Sequence, residues 1–204
     1  MLDKLRFGII GCGRVAPKHI EALFNNFQKA ELVALCDLEE AKALELKQKY
    51  TNLLESRNLD VPEITTYTDY AKMLNRSDID VVGIATYSGT HACIAKDAMQ
   101  AGKHVIVEKP MALSTMDAQM MIDMAKRTGR KLTVCHQNRF NPPVRRLREA
   151  LEQGRFGKIV HGVAVVRWNR NDEYYKQANW RGTWEQDGGV LMNQGIHDID
   201  LLQW

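Results

Sequence analysis

The residues best suited to chemistry lie early in the chain. Gly11-Cys12-Gly13-Arg14-Val15-Ala16 fits the pattern G-x-G-x-x-A, follows a run with strand character and opens a helical one. In that setting Gly11 permits the tight turn, Gly13 lets the backbone approach a pyrophosphate, and Ala16 allows the helix to pack closely on the strand. Arg14 and Val15 complete the turn. The helix start offers unpaired N–H groups and a partial positive charge for phosphate. Asp37 follows Gly13 by 24 residues, at the end of the next strand-like run. A carboxylate there accepts hydrogen bonds from ribose hydroxyls and repels a 2′-phosphate, which points to NAD. A glycine turn used only for chain reversal would carry neither the helix nor the acid. A second group, Val107-Glu108-Lys109-Pro110, ends a later strand. Ligands of open α/β sheets bind at that edge. The X-Pro bond there is a candidate cis peptide, which would aim Lys109 over the sheet edge.

These residues need elements to hold them. Leu5–Ile10, Glu31–Cys36 and Asp80–Ala85 are short, mostly apolar runs suited to strands buried on both faces. Glu63–Tyr67 is a weaker strand candidate, and His104–Val107 and Lys131–Cys135 add two more. Helical patterns lie between them: one through Ile20, Leu23 and Phe24, then Leu38–Tyr50, Tyr70–Leu74, His91–Ala101 ending at Gly102, and Met116–Lys126 capped by Ser114. Strands and helices alternating with short connections predict right-handed βαβ units and a doubly wound parallel sheet. The pattern changes after residue 136. Pro142-Pro143 opens a helix, Lys158–Trp168 reads as one long strand, 169–184 is polar and aromatic, and Gly188-Gly189 leads into a last helix. The expected fold is an N-terminal Rossmann domain over 1–136. It is followed over 137–204 by the start of a second domain. A single long strand cannot satisfy its own ladder hydrogen bonds, so this second part reads as truncated.

Composition excludes several classes. With 204 residues, 45% hydrophobic and 26% charged, the chain is of ordinary globular make-up. A net charge of +3 with interspersed acids gives no reason to expect nucleic acid. Its apolar runs are too short to span a bilayer, and the N-terminus lacks a signal-peptide core. Cys12, Cys36, Cys93 and Cys135 have no disulfide or metal spacing and read as small buried thiols, so a cytoplasmic protein with no metal is expected.

The glycine turn, Ala85-Thr86 … His91, Ala101–Val105 and Glu108-Lys109-Pro110 together resemble the glucose–fructose oxidoreductase / inositol dehydrogenase / rhizopine-catabolism (Gfo/Idh/MocA) family of NAD(P)-dependent sugar dehydrogenases. Asp187–Asp200 is similar to that family's active-site helix, and the resemblance implies that 137–204 begins an α+β domain with a mainly antiparallel sheet. Narrower stretches, His136–Pro142, Val166–Arg170, Tyr174-Tyr175 and Trp180–Trp184, resemble the branch that oxidises the 3-hydroxyl of UDP-N-acetyl-glucosaminuronic acid on the way to bacterial O-antigen.

The resemblance implies the following sites. Thr86, His91, Glu108, Lys109 and Gln137 join the glycine turn and Asp37 in holding NAD, with Trp180 and Arg181 by the nicotinamide or its ribose. Lys109, Arg139, Asn193 and His197 hold the substrate, and Lys109, His197 and Asn193 serve catalysis. As hydride leaves the sugar carbon, its hydroxyl must lose a proton to a group with a pKa near working pH. His197 starts near 6.5 and Lys109 near 10.4, lowered by burial and the positive nicotinamide. This favours His197 as the base and Lys109 as the group polarising the oxygen, with the reverse assignment open. The last helix sets Asn193, His197 and Asp200 in one stripe beside Met192, Ile196 and Ile199. Many family members carry Asp where this chain has Asn193, and Asn supplies no charge to the histidine. Arg139, Arg167 and Arg170 offer forks for a carboxylate or pyrophosphate. The expected partners are a nucleotide-sugar substrate and further copies of the chain, through the C-terminal domain. The alternatives are a dehydrogenase of a free sugar or inositol, and a non-catalytic NAD-binding protein.

Overall fold

Leu5–Ile10 forms the first strand (β1) with alternating consequences: Ile9 faces one apolar cluster and Ile10 the other. The same division recurs in β2 (Ala30–Cys36), where Leu32 and Leu35 join one cluster and Val33, Ala34 and Cys36 the other. Both faces are apolar, as a sheet covered on two sides requires, and the alternation in β2 slips by one residue at Val33, where its pairing with β1 shifts register between Phe7 and Gly8. In a computed structural model describing residues 4–204, β3 (Thr65–Tyr67), β4 (Val81–Ile84), β5 (His104–Glu108) and β6 (Leu132–Cys135) complete one six-stranded sheet of order β3-β2-β1-β4-β5-β6. The four ladders linking β1 to β5 are parallel. This is the dinucleotide-binding order, and it reverses direction between β1 and β4.

Helices α1 (Ala16–Asn25) and α2 (Glu40–Glu55) close one cluster through Ile20, Leu23, Phe24, Leu46 and Tyr50. Helices α3 (Tyr70–Leu74), α4 (His91–Gln100) and α5 (Thr115–Thr128) close the other through Met73, Ala95, Met99, Met121 and Met124. Ser114 accepts from the backbone N–H of Asp117 at the start of α5, and Gly129 ends it in the left-handed region. The four cysteines do not share one environment. Cys12 and Cys36 are buried and their thiols are pushed up to about 12, by burial first and then by the charge of Asp37. Cys93, expected to be buried, is exposed on α4.

The chain divides into two units between Val134 and Cys135, two residues before the boundary expected from sequence. The second unit holds α6 (Pro142–Glu152), α7 (Asp172–Lys176) and a helical run from Gly189 whose residues Leu191–Gly195 are π-helical and whose last part is α8 (Ile196–Gln203). The strand expected over Lys158–Trp168 is not formed, because no neighbouring strand pairs with it among the described residues. Its valines stand in solvent instead, Val160 at 90% exposure. No helix among the described residues is long and apolar enough to cross a membrane.

Candidate functional site

In the first unit the site assembles at the carboxyl ends of β1, β4 and β5. Gly11 adopts φ +92°, and a Cβ there would lie 2.6 Å from the carbonyl carbon of Ala85, so the crossing of this turn over the β4 exit admits only glycine. A Cβ on Gly13 would meet nothing within 4 Å, so that backbone faces open space. Arg14 is exposed and Val15 half-buried, and Ala16 is fully buried against the sheet. No described side chain caps the start of α1; its Ala16 and Lys18 N–H groups bond the carbonyls of Gly13 and Val15 at 3.2 and 2.9 Å, and Pro17 has none to offer.

Asp37 does more than await a ribose. One of its oxygens accepts from the Cys12 N–H at 2.7 Å and the other from the Glu39 N–H at 2.9 Å. It therefore braces the glycine turn, and a carboxylate with about four lone-pair sites retains capacity for two hydroxyl donors. Lys18, a nearby cation, is paired with Glu21 at 2.9 Å. These residues fit the adenosine half of a dinucleotide.

Thr86 follows β4, and the hydroxyls of Thr86 and Thr90 lie 2.8 Å apart. His91, at 1% exposure, places Nδ1 2.8 Å from the Pro110 carbonyl and Nε2 3.2 Å from that of Thr86. Burial lowers its pKa despite both carbonyls. His91 thus clips the β4 exit to the Glu-Lys-Pro turn, whose Lys109–Pro110 bond is cis. Lys109 is half-buried. Sequence reasoning missed His19, whose Nε2 lies 2.9 Å from Glu108 Oε1. Burial pushes the Glu108 carboxyl up, but the hydrogen bond and charge of His19, with the N–H and charge of Lys109, hold it below the usual range. The two residues are 89 apart in sequence, so no local pattern signals the pair.

In the second unit Asn193 and His197 are both buried, and Asp200 is 10% exposed, so the polar stripe faces inward. The neighbouring apolar stripe is the more open one, with Ile199 at 45%. The π-helical turn at Leu191–Gly195 changes the phase of this helix at Asn193, a distortion that concentrates at functional sites. Asn193 Nδ2 donates to Asp187, a carboxylate at 3% exposure that also accepts from the Gly182 N–H at 2.8 Å. Gly188 and Gly189 take positive φ, and a Cβ on Gly189 would press on the Trp184 ring at 3.2 Å, so the hairpin that returns Asp187 to the helix depends on glycine.

Arg139, expected on the substrate, is forked onto Asp200 at 2.7 and 2.5 Å and stacks on Trp204. Gln137 is exposed on the turn before it. Arg181 lies over the rings of Trp180 and Tyr174 at 4.7 and 4.6 Å. Tyr174, Arg181, Asp187, Asn193 and Gln194 line a cleft of about 460 Å³ within this unit.

The family model described as an oxidoreductase family with an NAD-binding Rossmann fold matches residues 5–136, and that of the Gfo/Idh/MocA C-terminal domain matches residues 144–204. This chain belongs to the Gfo/Idh/MocA family. Its cofactor is NAD. Among Gfo/Idh/MocA structures, it is similar to the WlbA dehydrogenases of Bordetella pertussis and Chromobacterium violaceum, both solved with NADH and UDP-GlcNAcA. Identity is 38% and 34%, the TM-score is 0.86 for each, and the likeness covers all of this chain but 58% and 56% of theirs. A curated relative, the alpha-N-acetylgalactosaminidase of Shewanella oneidensis, is 31% identical over 97% of this chain. The chain spans 44% of the length of that relative.

Proposed function

We propose that this chain carries the NAD site and part of the sugar site of a dehydrogenase that oxidises the C3 hydroxyl of UDP-N-acetyl-glucosaminuronic acid, in the making of bacterial surface polysaccharide. The observation that supports the reading most is the likeness, along the whole chain, to two dehydrogenases solved with that sugar and NADH. When bound, NAD supplies the hydride acceptor. Thr86, Glu108 and the glycine turn orient it, with His91 holding the turn that carries Lys109. Lys109 polarises the reacting oxygen and His197 takes its proton, with the roles exchangeable between them. Asn193 positions the sugar by hydrogen bonding. Trp180 and Gln137 belong to the cofactor side of this reading; Arg181, expected there too, donates to Tyr174 in the cleft.

Binding energy from the remote UDP portion would hold the 3-hydroxyl in a reactive geometry. The whole protein should therefore form NADH from NAD and the UDP-uronate, and little or none from myo-inositol or glucose, followed by absorbance. Fast turnover of a free sugar with none of the UDP-uronate would overturn the branch and leave the family standing. We also expect a homo-oligomer assembled through the C-terminal domain, a reading supported by the open valines after Lys158. A monomer by light scattering of the whole protein would contradict it.

The curated relative favours a second reading, a glycosidase acting on α-N-acetylgalactosaminides. Release of p-nitrophenol from the corresponding aryl glycoside, with no NADH from any sugar, would decide for it.

A further inference from the structure

Tyr174 receives more hydrogen bonds than its surroundings demand. Its hydroxyl oxygen accepts from Arg181 Nη1 at 2.7 Å and from Gln194 Nε2 at 2.9 Å. The Gln194 amide is itself fixed, because its Oε1 accepts from Arg170 Nη2 at 3.1 Å. A phenol has two acceptor positions and one donor. With both acceptor positions filled, the O–H of Tyr174 is left as a donor, and a cationic donor on its oxygen strengthens it.

The two arginines around this phenol have charge to spare. Arg170 and Arg181 lie over the Tyr174 ring at 4.9 and 4.6 Å. Among the described residues neither has a carboxylate within ion-pair distance, and the Nε of each is buried without a hydrogen-bond partner. The one carboxylate lining the cleft, Asp187, is committed to Gly182 and Asn193. Two uncompensated guanidinium groups and a polarised O–H beside one cleft form a receptor for negative charge.

We propose that this cleft binds an oxyanion of the substrate, with the O–H of Tyr174 as donor and Arg181 and Arg170 as its counter-charge. The proposal rests on the reading of the substrate as a sugar acid or nucleotide sugar, and it adds the residues that select the charged group. Two sources offer that chemistry, a sugar carboxylate and a nucleotide diphosphate.

Calorimetric titration of the NADH-saturated whole protein separates them. The ligands are UDP-N-acetyl-glucosaminuronate, UDP-N-acetylglucosamine, glucuronate and glucose. Tyr174→Phe, which keeps the ring and its stacking, and Arg170→Gln are compared with wild type. Losing a hydrogen bond to a charged group should weaken the oxyanion ligands about tenfold or more, with glucose unchanged and NADH affinity within threefold. A loss shared by glucuronate assigns the carboxylate, and a loss seen with UDP-N-acetylglucosamine but not glucuronate assigns the diphosphate. No binding of any oxyanion ligand by wild type overturns the proposal, as does wild-type affinity in both variants, or a loss confined to NADH. Whether wild type forms NADH from a ligand it binds is scored separately. Oxyanion binding without NADH formation sinks the dehydrogenase reading and leaves this one intact.

Discussion

Asn193 donates its side-chain amide to the buried carboxylate of Asp187. The amide at this position therefore has a negative charge directly behind it, supplied from six residues earlier in the chain. An Asp in place of Asn193 would set two buried carboxylates against each other, and one of them would have to be held protonated.

The first prediction follows from that pair. Asn193→Asp should destabilise the protein by about 2–4 kcal/mol at neutral pH, the scale of a pKa raised by two to three units. A carboxyl whose folded value is raised costs nothing below its unfolded value near 4, and the cost grows as pH rises toward the folded value. Thermal melts should therefore show the deficit at pH 7 and its relief toward pH 4. The double variant Asp187→Asn with Asn193→Asp should recover much of the loss. Equal melting temperatures for Asn193→Asp and wild type at pH 7 would refute the coupling.

Lys109 provides the second. Lys109→Ala should leave NADH affinity within a few-fold and lower turnover by about 10² or more, the usual scale for a lost proton-transfer or electrostatic group. Unchanged turnover on the true substrate would reduce the lysine to a structural role.

Asp37 both braces the glycine turn and meets the ribose on the present reading. NAD should bind more tightly than NADP at equal salt, and Asp37→Ser should narrow the gap. A serine has one oxygen where the carboxylate has two, so at least one of the Cys12 and Glu39 N–H groups loses its acceptor, which should cost about 1–3 kcal/mol of stability. Parallel cofactor titrations and denaturant melts separate the two effects, and tighter NADP binding by wild type would refute the first.

His19 holds Glu108 ionised against its burial. The folded value of Glu108 is depressed, so the carboxylate and whatever it stabilises persist above the ordinary range near pH 4.5 and are lost only as pH falls through the lower folded value. His19→Ala leaves the burial and removes the partner. If Glu108 faces the cofactor, the acid limb of NADH binding should move to higher pH in this variant. Fluorescence titration of NADH between pH 4 and 8 measures it, and superimposable profiles would count against the link.

Much of the first unit is legible in the sequence because its signals are local. A strand such as Leu5–Ile10 with apolar residues on both faces, a glycine turn and a capped helix each announce themselves within ten residues. The contacts that complete the site are not local. His19 meets Glu108 across 89 residues, and His91 reaches Pro110 over a turn whose bond isomer no residue pattern fixes. In the second unit the apolar run at Lys158–Trp168 has strand composition but no strand to pair with among the described residues, so pattern and structure part. The stripe of Asn193, His197 and Asp200 was readable from helical spacing. The Asp187 behind it was not, since it arrives through a Gly188-Gly189 reversal rather than through any period.

The last prediction concerns Arg139, read from sequence as a substrate ligand. Its fork is occupied by Asp200 at 2.7 and 2.5 Å, and His136 Nδ1 lies 3.6 Å from the same carboxylate. Burial pushes the Asp200 carboxyl up. The Arg139 hydrogen bonds and the charges of His136, Arg139 and His197 outweigh it and hold the value below the usual range. Arg139→Met would strand this carboxylate near the helix turn that carries His197. Removing one partner of a buried pair is costly, but Arg139 is a third exposed, so solvent screening reduces the loss to about 1–3 kcal/mol. Because the Asp200 value is depressed, its contribution is present above about pH 4 and disappears as pH falls through the folded value. The difference between wild type and Arg139→Met should therefore shrink in acid. Melting curves at pH 7 and pH 3 test this. A variant that melts like wild type at pH 7 yet raises KM for the sugar would return Arg139 to the substrate and show that the fork opens on binding.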